Sequence, residues 1–94
     1  MTNKAKINER IETAAASIKE YKDSVKFIEK HYNALMDYNN KNAGRLNIGA
    51  IELEVMEEIA RCNEKISILK TDIKKMKRQL ALIEELENIE YGVV

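Results

Sequence analysis

Apolar residues recur along the chain in alternating steps of four and three positions, the spacing that places side chains on one face of an α-helix. In the first half, the run comprises Ile7, Ile11, Ala14, Ile18, Tyr21, Val25, Ile28, Tyr32 and Leu35. In the second half, it comprises Val55, Ile59, Cys62, Ile66, Leu69, Ile73, Met76, Leu80 and Ile83. Heptads repeated in this way are typical of coiled coils, so the pattern predicts two long helices that pack along these two seams.

Asparagine and glycine interrupt the pattern between residues 39 and 49. Both residue types readily leave helical dihedral angles, so we expect a loop in which Gly44 stops the first helix and Asn47 caps the second. Glutamates from Glu52 onwards should favour the start of the second helix. The chain is therefore predicted to be one helical hairpin domain over residues 1–94, with a first helix at about 3–40, a loop at about 41–49 and a second helix at about 50–90.

The end of the second helix departs from this regularity. After Ile83 the seam steps fall on Glu87 and Glu90, whereas Leu86 and Ile89 are the apolar residues. Such a shift of phase predicts a change of contacts or fraying in the last two turns. The tail at 91–94 is expected to be unstructured.

A short loop makes the two helices antiparallel, and the distribution of charge supports that orientation. The cations near residues 4–10 then lie beside the glutamates at 84–90, and the basic block at 70–78 lies opposite Glu12, Glu20 and Asp23. The register has two solutions. One pairs Ile18 with Met76, and the other pairs Ile18 with Leu69; we favour the first.

Composition narrows the fold and the setting. The 94 residues include 16 basic and 16 acidic side chains and no proline, which fits uninterrupted helices and disfavours an all-β fold. Zero net charge argues against a sequence-blind nucleic-acid binder. No apolar run is long enough to cross a membrane, and the N-terminus lacks the apolar segment of a signal peptide. A single cysteine cannot form an internal disulfide, so we expect a cytoplasmic location.

Several apolar residues lie outside the two seams. A lone two-helix hairpin has little interior, so we expect these residues to contact another molecule. The occupant is either a second copy, which would complete a four-helix bundle, or a different protein. The third interpretation is that these are scattered surface residues without a partner. The candidate partner-binding residues are Phe27, Tyr38, Ile68, Leu82 and Leu86.

Groups that carry chemistry are sparse. One histidine and one cysteine cannot build a common zinc site, the serines are mid-helix residues, and no glycine-rich phosphate loop is present. We therefore expect no catalytic residues, no metal site and no cofactor. A nucleic-acid alternative rests on one basic stretch, without aromatic residues for base stacking, namely Lys70, Lys74, Lys77 and Arg78.

The length and the turn near the middle of the chain resemble WXG100 proteins, which are small secreted helical hairpins. The corresponding stretch, residues 42–49, contains no Trp-x-Gly motif, and the chain has no tryptophan. The resemblance is therefore one of architecture, and it implies no functional residue.

These observations favour a non-enzymatic coiled-coil interaction module, such as a small bacterial or phage adaptor, regulator or inhibitor that docks a helix face onto a protein partner. Two alternatives stay open. One is a structural or secreted hairpin that pairs with itself or a homologue, and the other is a dimeric DNA-binding regulator that uses the basic stretch from Lys70 to Arg78.

Overall fold

The computed structural model describes residues 3–42 and 47–90, which form two α-helices, α1 from Asn3 to Lys41 and α2 from Ile48 to Glu90. The helices pack against each other along their length in a hairpin about 76 Å long and 19 by 17 Å across. No strand occurs within the described ranges. The predicted all-α antiparallel hairpin is confirmed, whereas its assembly into a four-helix bundle stays a prediction.

The two predicted seams form the contact between the helices. Every seam residue named from the sequence is buried or half-buried. The best-buried apolar side chains lie near the middle of the hairpin, and they are Ala14, Ile18, Cys62 and Ile66. Most other apolar seam residues are only half-buried, because two helices can shield one stripe of each other and nothing covers that stripe from the sides.

Asn39 extends the buried stripe of α1 beyond the predicted end of the pattern. Its side chain is 7% exposed, and the helix continues to Lys41. Asn42 then closes the last turn, since its backbone N–H and its side-chain Nδ2 both donate to the Tyr38 carbonyl oxygen, at 3.0 and 2.7 Å. These bonds satisfy a carbonyl group that has no partner within the helix.

Asn47 caps α2, as the sequence predicts. The Ala50 N–H donates to the Asn47 side-chain oxygen and the Ile51 N–H donates to the Asn47 carbonyl oxygen, both at 3.3 Å. The cap places Ile48 and Gly49 in the first turn, so α2 begins two residues before the predicted start at about residue 50. Gly44, the predicted helix stop, and the tail at 91–94 lie outside the described residues.

The earlier start of α2 also changes the expected electrostatics at this end. The first turn contains no acidic residue, and the glutamates from Glu52 onwards begin one turn later. A charge acts on the helix dipole mainly within the first turn. The predicted support from these glutamates is therefore replaced by the neutral Asn47 cap.

The contacts between the helices select the register that we did not favour. The Lys65 ammonium lies 5.8 Å from the centre of the Tyr21 ring, and Tyr32 shares a groove with Val55 and Ile59. These neighbours fit the pairing of Ile18 with Leu69. In the other register, the partners of Tyr21 and Tyr32 would lie about two helical turns further along α2.

The seam keeps its phase to the open end of the hairpin. Glu87 is half-buried at the next seam position, and its carboxylate accepts a hydrogen bond from the Lys4 ammonium at 2.8 Å. Leu86 and Ile89 are 63% and 71% exposed. The predicted shift of phase was wrong, because a seam position at a helix end tolerates a charged residue when the facing helix supplies the opposite charge.

The first prediction compares two isoleucines in α2. We expect Ile66→Ala, in the buried seam, to lower the free energy of unfolding by about 2–4 kcal/mol, because it leaves a cavity between the helices. Ile68→Ala, on the exposed surface, should change it by less than about 0.5 kcal/mol. Urea denaturation followed by circular dichroism measures both; equal losses would contradict the assignment of the seam.

The second prediction concerns Gly49 in the first turn of α2. A Cβ atom at this position would lie 3.8 Å from the Asn47 side-chain oxygen, which is an ordinary van der Waals distance. We expect Gly49→Ala to raise the free energy of unfolding by about 0.5–1 kcal/mol, because alanine loses less backbone entropy in a helix. The reverse change at the next position, Ala50→Gly, is the matched control and should lower it. A destabilised Gly49→Ala variant would show that this turn is not helical in solution.

Candidate functional site

The hairpin has two sides, separated by the seam, and each carries a groove that identifies it. On one side a groove is lined by Arg10 of α1 and Leu82 of α2; we call this the Leu82 side. On the other side a groove is lined by Asn33 of α1 and Met56 of α2; we call this the Met56 side. Because the buried positions keep one heptad phase along both helices, residues a heptad apart from these markers lie on the same side.

All the partner-binding candidates fall on the Leu82 side. On α1, Phe27 and Tyr38 lie on the flank of Lys6 and Arg10, which line the Leu82 groove. On α2, Ile68 and Leu86 lie on the flank of Gln79 and Leu82, which line its other wall. The exposed fractions of the candidates range from 54% to 63%, so none is used by the seam, and they are Phe27, Tyr38, Ile68, Leu82 and Leu86.

The candidates on α2 concentrate at the open end of the hairpin. Leu82 and Leu86 are one turn apart, and Ile89 continues the stripe at the next step of three. Ile7 and Ile83 line the adjoining groove, which is the one that contains Leu82. We call Leu82, Leu86 and Ile89 the open-end patch. Sequence reasoning noted that Ile89 is apolar but did not include it among the candidates, although its spacing from Leu82 and Leu86 is the available signal.

The candidates on α1 lie near the loop. The Phe27 ring packs against the His31 ring one turn away in a tilted arrangement, with ring centroids 4.1 Å apart and planes inclined by 47°. Tyr38 follows on the same flank and is exposed. Phe27 and Leu82 lie about 30 Å apart along the hairpin, from their register and the 1.5 Å rise per residue. The structure thus places the candidates on one side but in two separate patches, with Ile68 between them.

Two further exposed hydrophobic residues, Leu53 and Met56, lie on the Met56 side near the loop. They form a short stripe on α2 that does not continue beyond Ala60. This stripe is the counterpart of the two patches on the Leu82 side, and it provides matched positions for a control.

The basic stretch of α2 is placed differently from the sequence expectation. Lys70 and Lys74 line one groove with Ser67, and Lys77 follows on the same flank, which belongs to the Met56 side. Arg78 points to the outer surface between the two sides. The expected pairing of this stretch with acidic residues of α1 is wrong, because none of its cations forms an ion pair within the described part of the chain.

The remaining chemistry of the described residues is limited. Cys62 is a free thiol buried in the seam, as its heptad position predicts. The described residues contain no group of three His, Cys, Asp or Glu side chains that could hold a metal ion. Within the same ranges, neither helix combines the length and the apolar character needed to cross a membrane.

Comparisons with protein-family models, with curated proteins and with solved structures found no match for this chain.

The third prediction concerns the ion pair beside the open-end patch. The hydrogen bond and the charge of Glu87 raise the pKa of Lys4 above its ordinary value of 10.5, with a smaller contribution from the charge of Glu84 and an opposing effect of desolvation. A raised lysine pKa stabilises the fold while the lysine is protonated. The contribution is complete below pH 10.5 and is lost as the pH rises through the folded-state pKa.

We therefore expect Glu87→Gln to lower the urea midpoint slightly at neutral pH, since an exposed pair contributes little. The difference from wild type should shrink as the pH rises through the raised pKa of Lys4, and it should disappear once Lys4 is neutral in both proteins. Glu85→Gln removes the same charge from a position without this contact, and its alkaline profile should parallel that of wild type. A difference for Glu87→Gln that is constant across this range would contradict the charge pair.

Proposed function

We propose that this protein is a non-enzymatic coiled-coil interaction module that binds a protein partner through the Leu82 side. An adaptor, a regulator or an inhibitor of bacterial or phage origin fits this description. The proposed mechanism is docking of a partner helix onto the face that carries Phe27, Ile68, Leu82 and Leu86. Because the only cysteine is a free thiol, we also propose a reducing, cytoplasmic setting.

One observation supports this proposal above the others. Within residues 3–42 and 47–90, only four apolar side chains are buried between the helices, whereas eight large hydrophobic side chains are more than half exposed. Six of the eight lie on the Leu82 side, and they are Phe27, Tyr38, Ile68, Leu82, Leu86 and Ile89. Exposed apolar residues gathered on one side are typical of protein-binding surfaces.

The open-end patch is the best candidate for the centre of the interface. Leu82, Leu86 and Ile89 follow the spacing with which a helix presents one stripe to a partner, and Lys6 and Arg10 lie at the edge of the adjoining groove. A partner helix with an apolar stripe flanked by carboxylates would match both features. The aromatic residues near the loop would provide a second contact.

Self-association is the second candidate function, and the same side supports it. A second copy that covers the Leu82 side would remove these hydrophobic side chains from water without any other protein. The full-length packing of a four-helix bundle would also have to accommodate the polar residues between the two patches, namely Ser17, Glu20, Ser24, Asp72 and Lys75. A dimer that overlaps mainly at the patches avoids burying them.

The fourth prediction tests the proposed function with two double variants. Leu82→Glu with Leu86→Glu should abolish binding, because the carboxylates would have to be buried in the interface. Leu53→Glu with Met56→Glu is the matched control, since it introduces the same charges at equally exposed positions on the Met56 side. Light scattering over a range of concentrations measures self-association, and affinity capture from cells of the source organism, followed by mass spectrometry, measures binding of other proteins.

Selective loss in the Leu82/Leu86 variant supports the proposal, and light scattering tells whether the occupant is a second copy. Circular dichroism should show both variants equally helical, because all four positions are exposed in wild type. The proposed function is wrong if wild type is a strict monomer that captures nothing, or if the control variant loses binding to the same extent.

A further inference from the structure

Six lysines from both helices lie on the Met56 side, in a region that the proposed function does not use. On α1, Glu29 and Asn33 line the Met56 groove. Lys22 and Lys26 lie one heptad before these two residues, respectively, and therefore on the same side. On α2, Lys70 and Lys77 follow Met56 by two and three heptads. With the neighbours on the same flanks, we call this set the lysine face: Lys19, Lys22, Lys26, Lys70, Lys74 and Lys77.

The register makes these lysines a continuous band. Lys19 lies opposite residue 68, one turn or less from Lys70, so the lysines of α2 begin where those of α1 end. The band runs diagonally across the hairpin from Lys26 to Lys77 and covers about 24 Å of its length, from the rise of 1.5 Å per residue. The sequence shows only two separate basic stretches. Their union depends on the antiparallel register and on which flanks share a side.

The lysine face carries an excess of positive charge: on the same flanks, Glu12 lies within the band and Glu29 lies one turn beyond Lys26. Within the described chain, none of the six lysines makes an ion pair, and all six are exposed. Of the carboxylates that were expected to face the basic stretch, Glu20 lies on the Leu82 side and Asp23 points to the outer surface. Glu12 lies on the same side as the lysines but forms no ion pair.

The residues between the lysines are small or polar. Ala15 of α1 and Asn63 and Ser67 of α2 share their flanks, and Thr71 lines the same groove as Lys70 and Lys74. None of the exposed large hydrophobic side chains lies within the band. A protein interface or a membrane surface takes much of its affinity from apolar contact, whereas a phosphate backbone is bound by lysines together with hydroxyl, amide and backbone donors.

We infer that the lysine face binds the phosphate backbone of a double-stranded nucleic acid without reading its sequence. The zero net charge of the chain argues against such binding by the molecule as a whole, but within the band the six lysines face a single carboxylate, Glu12. The band supplies charge in a line, neutral donors beside it and no bulky side chain to prevent a close approach. It has no exposed aromatic platform on which unpaired bases could stack, so a duplex fits better than a single strand. The Leu82 side stays free for a protein partner, so this binding is independent of the proposed function.

The fifth prediction uses fluorescence anisotropy with a labelled 24-bp DNA duplex of random sequence. If all six lysines contact phosphates, the logarithm of the binding constant should fall with the logarithm of salt concentration with a slope of about −5. Affinity should then drop roughly a thousandfold between 50 and 200 mM salt. A triple variant with Lys19, Lys22 and Lys26 each changed to Gln should halve the slope and bind more weakly at low salt.

The matched control changes Lys6, Lys30 and Lys75 to Gln. It removes the same net charge from the Leu82 side and the outer surface, and it should keep the wild-type slope. The inference is overturned if wild type gives no anisotropy change at low salt, or if the two triple variants weaken binding equally. It is also overturned if polyglutamate or vesicles with anionic lipid bind as tightly as the duplex, since the face would then serve an acidic protein or a membrane.

DNA binding by the lysine face can be tested separately from protein binding by the Leu82 side. Leu82→Glu with Leu86→Glu leaves the lysine face intact and should bind the duplex with a slope close to that of wild type, although its added negative charge lowers affinity modestly at low salt. A slope that collapses in this variant would show that DNA binding depends on assembly through the Leu82 side, and it would contradict a lysine face that acts on its own.

Discussion

Two helices in a hairpin can exclude water at only one surface, the stripe that each turns toward the other. In this protein the best-buried members of that stripe are Ala14, Ile18, Cys62 and Ile66, near the middle. Burial of so little apolar surface gives a small hydrophobic contribution, so the seam must be regular over its whole length to hold the helices together. The seam is regular because the apolar residues keep the 4-3 spacing and no proline interrupts the helices. The polar residues Asn39 and Glu87 extend the seam toward its two ends.

Because the helices contact each other along only one stripe, most of the surface takes no part in the packing. The stripe also divides that surface into two sides. In an antiparallel pair the equivalent flanks of the two helices meet on the same side, so each side has its own composition along the whole rod. Here one side carries six of the eight exposed large hydrophobic residues, and the other carries the lysine face. The zero net charge of the chain therefore conceals an uneven distribution: the lysines of one side form a single band, and most of the exposed large hydrophobic residues of the described chain lie on the other side.

The sequence predicts the helices and the seam well because both depend on local spacing. Features that depend on contacts with the other helix are harder to predict from the sequence. Both registers fill the seam with apolar residues, so the choice between Leu69 and Met76 opposite Ile18 is decided by contacts of individual side chains such as Tyr21 with Lys65. Asn39 and Glu87 are polar residues at seam positions. A pattern of apolar residues therefore stops before each of them, although the seam itself continues. The partner-binding candidates are recognisable in the sequence as apolar residues outside the seam, but only the three-dimensional structure shows that they share one side. The same holds for the two lysine stretches, which the structure joins into one band.

Cys62 gives this architecture a further property. Its thiol is 5% exposed at the centre of the seam, where the facing helix covers it. A thiol reagent can reach the sulfur only when the two helices separate locally, so the rate of labelling measures how often the middle of the rod opens. Once labelled, the sulfur carries a group for which the buried seam position has no room, and the helices cannot close in the same way.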